Sequence, residues 1–226
     1  MGAALFDFFK KSRVEKCSEM ITILKSLQDH KYKFILTGDE GWFKYTYYND
    51  KQWATSADNV GERVEDKIDT PKMMLTVFWN PNGELISDVL PNGVTYNSTY
   101  FIDSVLSKIT ESKLYKKARK NRNKFYLHFD NSRIHTTKLT KEKLESLNIS
   151  ILPHPVYSPD LAPCDFFLFG DLKMRAKGTT FNSPDELQEW VIQKFDEIGK
   201  DALYRVFDDW IKRIEFVIKN RGGYYN

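Results

Sequence analysis

The sequence predicts an α/β domain in which a mixed five-stranded sheet is flanked by helices. Three observations lead to this fold class. Five short apolar segments have the length and the β-branched or aromatic content of strands. Longer segments repeat apolar residues every three or four positions, as amphipathic helices do. The strands come first as a run and then alternate with helices, which predicts an antiparallel part and a parallel part of one sheet.

The predicted strands divide into these two parts. They are residues 33–39, 73–79, 84–90, 125–130 and 150–155. The second and third flank a Pro-Asn-Gly turn and predict a hairpin, which forms an antiparallel meander with the first. The last two each follow a predicted helix and are expected to join in parallel. Residues 42–48 are aromatic and predict a further strand or ribbon.

The predicted helices follow from apolar spacing. They cover residues 14–27, 98–117, 136–147 and 165–177, with two more beginning near residues 183 and 203. The fifth has the clearest start, because Ser183 and Glu186 form a capping box around Pro184 at the first helical position. Residues 49–71 are polar and lack periodicity, and so long a connection is typical of a functional or mobile loop.

Composition limits the class of protein. The chain has 226 residues, of which 41% are hydrophobic, so it can bury a large core. No apolar stretch approaches the roughly 20 residues of a membrane span, and no secretory signal is evident, so we expect no membrane association. Cys17 and Cys164 lack the neighbours of a zinc site and predict free thiols.

Three acids stand at places where a metal site could form. Asp39 follows the first strand, Asp130 ends the fourth, and thirty-four residues separate Asp130 from Asp165. If the two strands are neighbours, the first two carboxylates leave the same sheet edge, and Asp165 could fold back over it. Mg²⁺ prefers oxygen ligands, and two ions about 4 Å apart serve phosphoryl transfer. Asp39 as a turn cap, and Asp160 or Asp171 in place of Asp165, are the alternatives.

A basic stretch between residues 113 and 124 suggests a contact with phosphates. The net charge of the chain is only +3, so the argument rests on how the charges are distributed. Clustered Lys and Arg side chains neutralise phosphates with a marked dependence on salt. The alternative is a solvated helix end and loop.

Four segments resemble the catalytic domain of mariner-family transposases. They are TGDEGW around Asp39, WNPNGEL from Trp79, HFDNSRIH at residues 128–135, and LPHPVYSPDLAPCDFFLF at residues 152–169. The similarity extends over the chain from about residue 12, and a final Asp rather than Glu is typical of mariner elements. Two positions depart from the family pattern: Gly41 stands where lysine is usual, and Phe129 separates His128 from Asp130.

The resemblance implies a ribonuclease H-like fold, with Asp39, Asp130 and Asp165 as catalytic ligands of Mg²⁺ or Mn²⁺, expected as two ions. It implies endonucleolytic cleavage at transposon ends and joining of the 3′-hydroxyl to a TA target in DNA, in the nucleus. Residues about 45–71 would be the clamp loop that contacts the partner of a homodimer. We expect a linker or helix at residues 1–30, a catalytic domain at 31–226, and no helix-turn-helix DNA-binding domain.

Further residues are candidates for DNA contact. They are Asn131, His135, Arg63, Lys116, Lys117, Arg119, Lys120 and Arg122. Asn131 could instead serve a backbone turn, and His135 could be a helix-start histidine satisfied by the backbone. Two other functions stay open. One is a domesticated DNA-binding or dimerisation module with little or no catalysis, and the other is a nuclease that acts on RNA–DNA hybrids.

Overall fold

The computed structural model describes residues 3–48 and 70–225, with side chains from residue 8 onward. The strands are β1 Ile35–Lys44, β2 Lys72–Trp79, β3 Leu85–Val89, β4 Phe125–His128 and β5 Ile149–Ile151. The α-helices are α1 Ala3–Gln28, α2 Ser98–Tyr100, α3 Ser107–Glu111, α4 Lys113–Lys120, α5 Arg133–Thr136, α6 Lys138–Ser146, α7 Phe169–Arg175, α8 Pro184–Ile198 and α9 Lys200–Lys219. None of these helices is long and apolar enough to cross a membrane.

The five strands form one mixed sheet in the order β3-β2-β1-β4-β5. The pairs β1–β2 and β2–β3 are antiparallel, whereas β1–β4 and β4–β5 are parallel. The predicted meander and the predicted parallel additions are therefore both confirmed. The central strand β1 joins the two halves of the sheet.

The first strand is longer than the sequence pattern indicated. It continues to Lys44, so the aromatic segment after Trp42 begins as part of β1 and not as a separate strand. The reason is that β2 pairs with β1 along the whole stretch from Thr37 to Lys44. Asp39 consequently lies inside the strand, although its side towards β4 is unpaired beyond Thr37.

Two hydrophobic clusters cover the two faces of the sheet, and the alternation of side chains assigns residues between them. Ile35 and Phe43 of β1 belong to the cluster formed with α1, α7, α8 and α9. Leu36 belongs to the opposite cluster, formed with the helices between β3 and β5. Both faces of the central strands are thus buried, as parallel strands require.

One predicted helix is divided in the structure, and another begins two residues later than predicted. The segment predicted as one helix at residues 98–117 contains a π-helical turn, Phe101–Leu106, and breaks at Ser112. Ser112 is extended, and its hydroxyl accepts a hydrogen bond from Tyr115 N at the start of α4. Thr137 likewise separates α5 from α6 and caps α6 through Thr140 N. Apolar spacing alone does not show where Ser112 and Thr137 cap the helices that follow them.

The N-terminal helix packs into the core of the domain. Cys17, Met20 and Leu24 are fully buried in the same cluster as α9. Arg13, only 4% exposed, forms an ion pair with Asp160 and donates a hydrogen bond to Ser158. The helix therefore holds the segment that precedes Asp165.

Most of the predicted clamp loop lies outside the described residues. The described part runs beside the chain after α7, because Tyr47 N donates to Thr179 O and Phe181 N donates to Tyr45 O. Arg63 falls in the part that the structure does not describe. Its assignment as a DNA contact stays a prediction.

Replacing Gly38 should destabilise the sheet. A Cβ atom at this position would lie 2.4–2.5 Å from the ring of Phe78, which is fully buried. We expect Gly38→Ala to lower the free energy of unfolding by about 1–3 kcal/mol, because Phe78 must move within a packed core. Urea denaturation followed by circular dichroism measures this change.

A suitable control is Gly170→Ala in α7. Nothing lies within 4 Å of a Cβ atom placed there. Alanine is the better helix former by about 1 kcal/mol, so this variant should be as stable as the wild type or more so. Equal stability of Gly38→Ala and the wild type would contradict the close packing described for Phe78.

Candidate active site

The parallel register of β1 and β4 brings two of the predicted acids together. The last pair of residues is Thr37 and His128. Asp39 and Asp130 each lie two residues beyond this pair, so they stand at the same level and on the same face of the sheet. The site therefore begins where β4 ends while β1 continues along β2.

Asp165 reaches the same region from a different element. It lies in a π-helical turn, Cys164–Leu168, that leads directly into α7. Asp165 N donates to Ala162 O at the start of this turn. The preceding 3₁₀ turn, Pro159–Leu161, is the segment held by Arg13. Asp160, weighed as an alternative to Asp165, is thus occupied in a buried ion pair.

Electrostatic repulsion links the three acids. Burial first, and then the carboxylates of Asp165, Glu40 and Asp130, raise the pKa of Asp39 to about 8. The pKa of Asp165 is also raised, first by burial and then by Asp130, while Lys173 lowers it. Like charges at one site disfavour ionisation. A divalent cation would relieve this repulsion, so the donor set suits Mg²⁺ or Mn²⁺.

A fourth acid lies on the other face of β1. Glu40 follows Asp39 in the strand and consequently points in the opposite direction. It accepts a 2.6 Å hydrogen bond from the hydroxyl of Tyr96, and the Nε2 atom of His135 lies 3.3 Å from its carboxylate. The same Nε2 atom is 3.9 Å from Asp130 Oδ1. His135 therefore links Glu40, on the opposite face of β1, to Asp130.

His135 is held rigidly in this position. Its side chain is fully buried and stacks on Phe129, with the ring centres 4.4 Å apart. The edge of Phe101 packs against it at 4.7 Å. Its Nδ1 atom is buried without a hydrogen-bond partner, so the ring makes its hydrogen bond to Glu40 through Nε2.

Metal-binding geometry is tightest around Asp130. In the described part of the chain, the side chains of Glu40, Asp130 and His135 form a group whose donor atoms all lie within 4.8 Å of one another. Asp39 and Asp165 are not members of that group. The side chain of Asp130 is 46% exposed, so a cation can approach it from solvent. Asp130 is thus shared between the supporting pair and the predicted triad.

A buried chain of polar groups holds the end of β4. The hydroxyl of Thr37 lies 2.8 Å from His128 Nδ1, and His128 Nε2 lies 3.0 Å from His154 Nδ1. Asn131 continues the chain, since its amide donates to the carbonyl oxygen of His154 at 2.7 Å. His128, two residues before Asp130, and Asn131, directly after it, are therefore tied to the segment after β5.

Both departures from the mariner pattern have a packing explanation. A Cβ atom on Gly41 would lie 3.0–3.1 Å from the ring of Phe169, so the absence of a side chain at Gly41 accommodates Phe169. Phe129 is buried at 4% exposure and provides the surface on which His135 stacks. Neither departure removes an acid from the site.

The structure separates the basic stretch from the acids. Lys116, Lys117, Arg119 and Lys120 are exposed on α4, and Arg122 is exposed just after it. That helix leads into the start of β4, whereas Asp130 follows the end of β4. Four strand residues span roughly 13 Å. The basic stretch therefore lies at the opposite end of β4 from Asp130.

The burial of His135 opposes its assignment as a DNA contact. The ring exposes no surface, and its Nε2 atom is directed at Glu40. Asn131 is exposed, but its amide is engaged by His154. The structure thus favours a supporting role for both residues. The sequence offered only a weak signal, because a histidine at a helix start can face either way.

Sequence reasoning missed one cation beside the acids and a second cation near it. Lys173 of α7 and Lys44 of β1 lie near enough to influence each other, and Lys173 also acts on Asp165. They come from segments distant in sequence and form no basic run. The one available signal was the helical spacing that places Lys173 two turns after Asp165.

In sequence, the chain is similar to transposases. The profile of a family described as Transposase (partial DDE domain) matches residues 46–124. The mariner Mos1 transposase of Drosophila mauritiana is 30% identical over 191 residues, which are 79% of this chain and 53% of that protein. The histone-lysine N-methyltransferase SETMAR of Homo sapiens is 28% identical over 225 residues, 96% of this chain and 32% of that protein. The chain thus spans about half of one relative and a third of the other.

Solved structures share the fold. The crystal structure of the catalytic domain of Mos1 mariner transposase has a TM-score of 0.73 at 23% identity, covering the whole of this chain and 98% of that one. The Mos1 paired-end complex with Mn has a TM-score of 0.80 at 23% identity, covering the whole of this chain and 65% of that one. The predicted ribonuclease H-like architecture is confirmed.

The buried histidines should make stability depend on pH. Burial lowers the pKa of His154 to about 4, with Arg13 adding to the effect, and burial lowers that of His128 well below its usual value. A base whose pKa is depressed by folding contributes stability above its unfolded pKa of 6.5 and loses it as the pH falls towards 4. His154→Gln should therefore cost less at pH 5 than at pH 8, by about 2 kcal/mol.

Chemical denaturation at the two pH values tests this expectation, because each comparison with the wild type cancels the titration of the acids. The exposed His30 supplies a control, and His30→Gln should change the stability little at either pH. A cost of His154→Gln that is equal at pH 5 and pH 8 would show that this histidine is not kept neutral by the fold.

Proposed function

Because this chain is a homologue of the mariner transposases and has the fold of their catalytic domain, we propose that it cleaves and joins DNA strands in a metal-dependent reaction. The observation that carries the proposal is the placement of Asp39, Asp130 and Asp165 in one region, where burial and then the neighbouring carboxylates raise the pKa values of Asp39 and Asp165. A fold serving stability alone has no need of uncompensated acids in one place. The proposed chemistry is hydrolysis at a transposon end followed by attack of the 3′-hydroxyl on target DNA.

The proposed cofactor is Mg²⁺ or Mn²⁺, bound by Asp39, Asp130 and Asp165. When bound, two such ions would activate the attacking oxygen and stabilise the leaving oxygen of a phosphodiester. The oxygen-rich donor set fits these ions better than zinc. The two buried cysteines are not suited as ligands, since burial raises the pKa of the Cys164 thiol well above its usual value.

The remaining residues of the site orient the acids. Ser132 N donates a 2.9 Å hydrogen bond to Asp130 Oδ1, and His135 Nε2 lies 3.9 Å from the same oxygen. The second carboxylate oxygen of Asp130 is thereby available to a cation. Glu40 adds negative charge behind the site and raises the pKa of Asp39. No protein nucleophile is required, because water and a DNA hydroxyl are the attacking groups.

The proposed partners are transposon ends and a TA target. Support comes from the relatives, since solved Mos1 structures include a paired-end complex with the left transposon end and a strand transfer complex. We further propose that the segment at about residues 45–71 acts as a clamp between two copies of the chain, and that the reaction occurs in the nucleus. Residues 31–226 form the proposed catalytic domain, with α1 packed onto it.

A second candidate function is DNA binding or dimerisation without catalysis. One comparison favours it: the matching region of SETMAR belongs to a protein named for methyltransferase activity. The two functions share a fold and differ in whether the acids act. A cleavage assay therefore separates them.

Cleavage should require Asp130. We expect Mn²⁺-dependent nicking or strand transfer on a pre-cut DNA end by the wild type, and a loss of at least about 100-fold in Asp130→Ala, because the acid shared by both groups is removed. Gel electrophoresis of labelled DNA measures both reactions. Asp171→Asn is the matched control, since Asp171 pairs with Arg175 on the surface of α7, and it should keep the activity. Equal nicking by Asp130→Ala and the wild type would contradict the proposal.

Divalent cations should stabilise the fold through Asp39. An acid whose pKa is raised by folding contributes stability below its unfolded pKa of 3.8 and loses it as the pH rises towards 8. Without cations at pH 8, Asp39→Asn should therefore raise the free energy of unfolding by about 1–2 kcal/mol. Mn²⁺ should stabilise the wild type, because it binds the folded state, and should stabilise Asp39→Asn much less.

Thermal unfolding with and without Mn²⁺ provides the measurement. Asp171→Asn again serves as the control and should respond to Mn²⁺ as the wild type does. A rise in melting temperature of the same size in Asp39→Asn and the wild type would remove Asp39 from the cation site.

A further inference from the structure

Lys173 occupies a distinctive position beside the acids. It lies on α7 eight residues after Asp165, and its Nζ atom is 5.5 Å from the ring centre of Phe43 and 5.9 Å from that of Phe169. Helical side chains lean towards the N-terminal turn, which directs this ammonium back over Phe169 and towards Asp165. Phe43 is on the same face of β1 as Asp39. The ammonium therefore lies between α7 and the end of β1, at the border of the acid site.

The positive charge of Lys173 is not neutralised by a close partner. In the described part of the chain, no carboxylate oxygen lies within 4.0 Å of its Nζ atom. Desolvation lowers the pKa of Lys173, Asp165 opposes that shift, and Lys44 adds to it. Lys173 is exposed to solvent, and an ammonium with a second cation nearby is stabilised when an anion binds.

The aromatic neighbours explain why this cation is held in place. Phe43 is fully buried and Phe169 is 6% exposed, so both rings are parts of the core and do not move freely. An ammonium over such rings gains a modest attraction of about 0.5–1 kcal/mol at an exposed site. The rings thus orient the charge and leave its outer side available.

We propose that Lys173 binds a phosphate of the DNA backbone next to the phosphodiester that reacts. The ligand class is a nucleic-acid phosphodiester, and its recognition is independent of base sequence. The inference rests on the proposed function for the position of the reacting bond. The proposed contact places a positive charge on the α7 side of the site, whereas the basic stretch of α4 lies at the other end of β4.

Salt-dependent DNA binding tests this assignment. The probe is a short fluorescein-labelled DNA duplex, titrated by fluorescence anisotropy in EDTA at several salt concentrations between about 50 and 200 mM. The variants are Lys173→Met, which keeps the aliphatic contact with the rings, and Lys173→Arg, which keeps the charge. Lys212→Met is the matched control, because it removes one charge from the exposed surface of α9.

We expect Lys173→Met to weaken binding about threefold to tenfold and to reduce the slope of log affinity against log salt by about 0.9, the contribution of one phosphate contact. Lys173→Arg should stay within about twofold of the wild type, and Lys212→Met should match the wild type. An unchanged affinity and slope in Lys173→Met, an equal loss in Lys173→Met and Lys212→Met, or no binding by the wild type overturns the inference.

The role of the charge is separable from a structural role and from the function itself. Melting temperatures are measured for every variant and for an additional one, Lys173→Gln, and unfolding of both Lys173→Met and Lys173→Gln would show that the side chain serves packing instead. Nicking by the wild type and Asp130→Ala is measured in parallel. Asp130-dependent nicking without a Lys173 effect on affinity refutes only the phosphate contact. A Lys173 effect without nicking refutes only the catalytic proposal.

Discussion

The parallel pairing of β1 with β4 is the constraint on which the candidate site depends. Three residue pairs, from Ile35 with Tyr126 to Thr37 with His128, set the relative position of the two strands. Because side chains alternate along a strand, a shift of one residue would turn either Asp39 or Asp130 to the opposite face. The burial of both faces of the sheet prevents such a shift, since it would expose apolar residues and bury polar ones.

The energetic demand of gathering carboxylates explains much of the surrounding structure. Two of the acids are attached to a rigid group: Asp130 to Ser132 N and His135, and Asp165 to the segment held by the buried ion pair of Arg13 and Asp160. Removing one partner of such a buried pair is strongly destabilising. The site is therefore maintained by contacts from the N-terminal helix to the C-terminal segment, where Tyr225 N also donates to Asp160.

The sequence predicted what depends on apolar periodicity and on strand ends. The five strands, their antiparallel and parallel parts, and the placement of Asp39 and Asp130 at one level followed from those patterns. The length of β1 did not, because it depends on pairing with β2. The support given to Asp130 by Glu40 and His135 also did not, since it requires contacts across 95 residues of chain. The position of Lys173 could not be predicted for the same reason. The breaks at Ser112 and Thr137 reflect caps that leave the apolar spacing intact.

The π-helical turn that carries Asp165 links the direction of this acid to chain length. A π turn accommodates more residues than an α-helical turn does, and such turns occur frequently at functional sites. Loss of one residue there would restore α-helical winding and rotate Asp165 by about 100° relative to α7. Insertions and deletions between Pro163 and Phe169 would thus be more damaging than most side-chain replacements. In evolutionary terms, the spacing between the second and third acids would be under selection as a matter of helical phase.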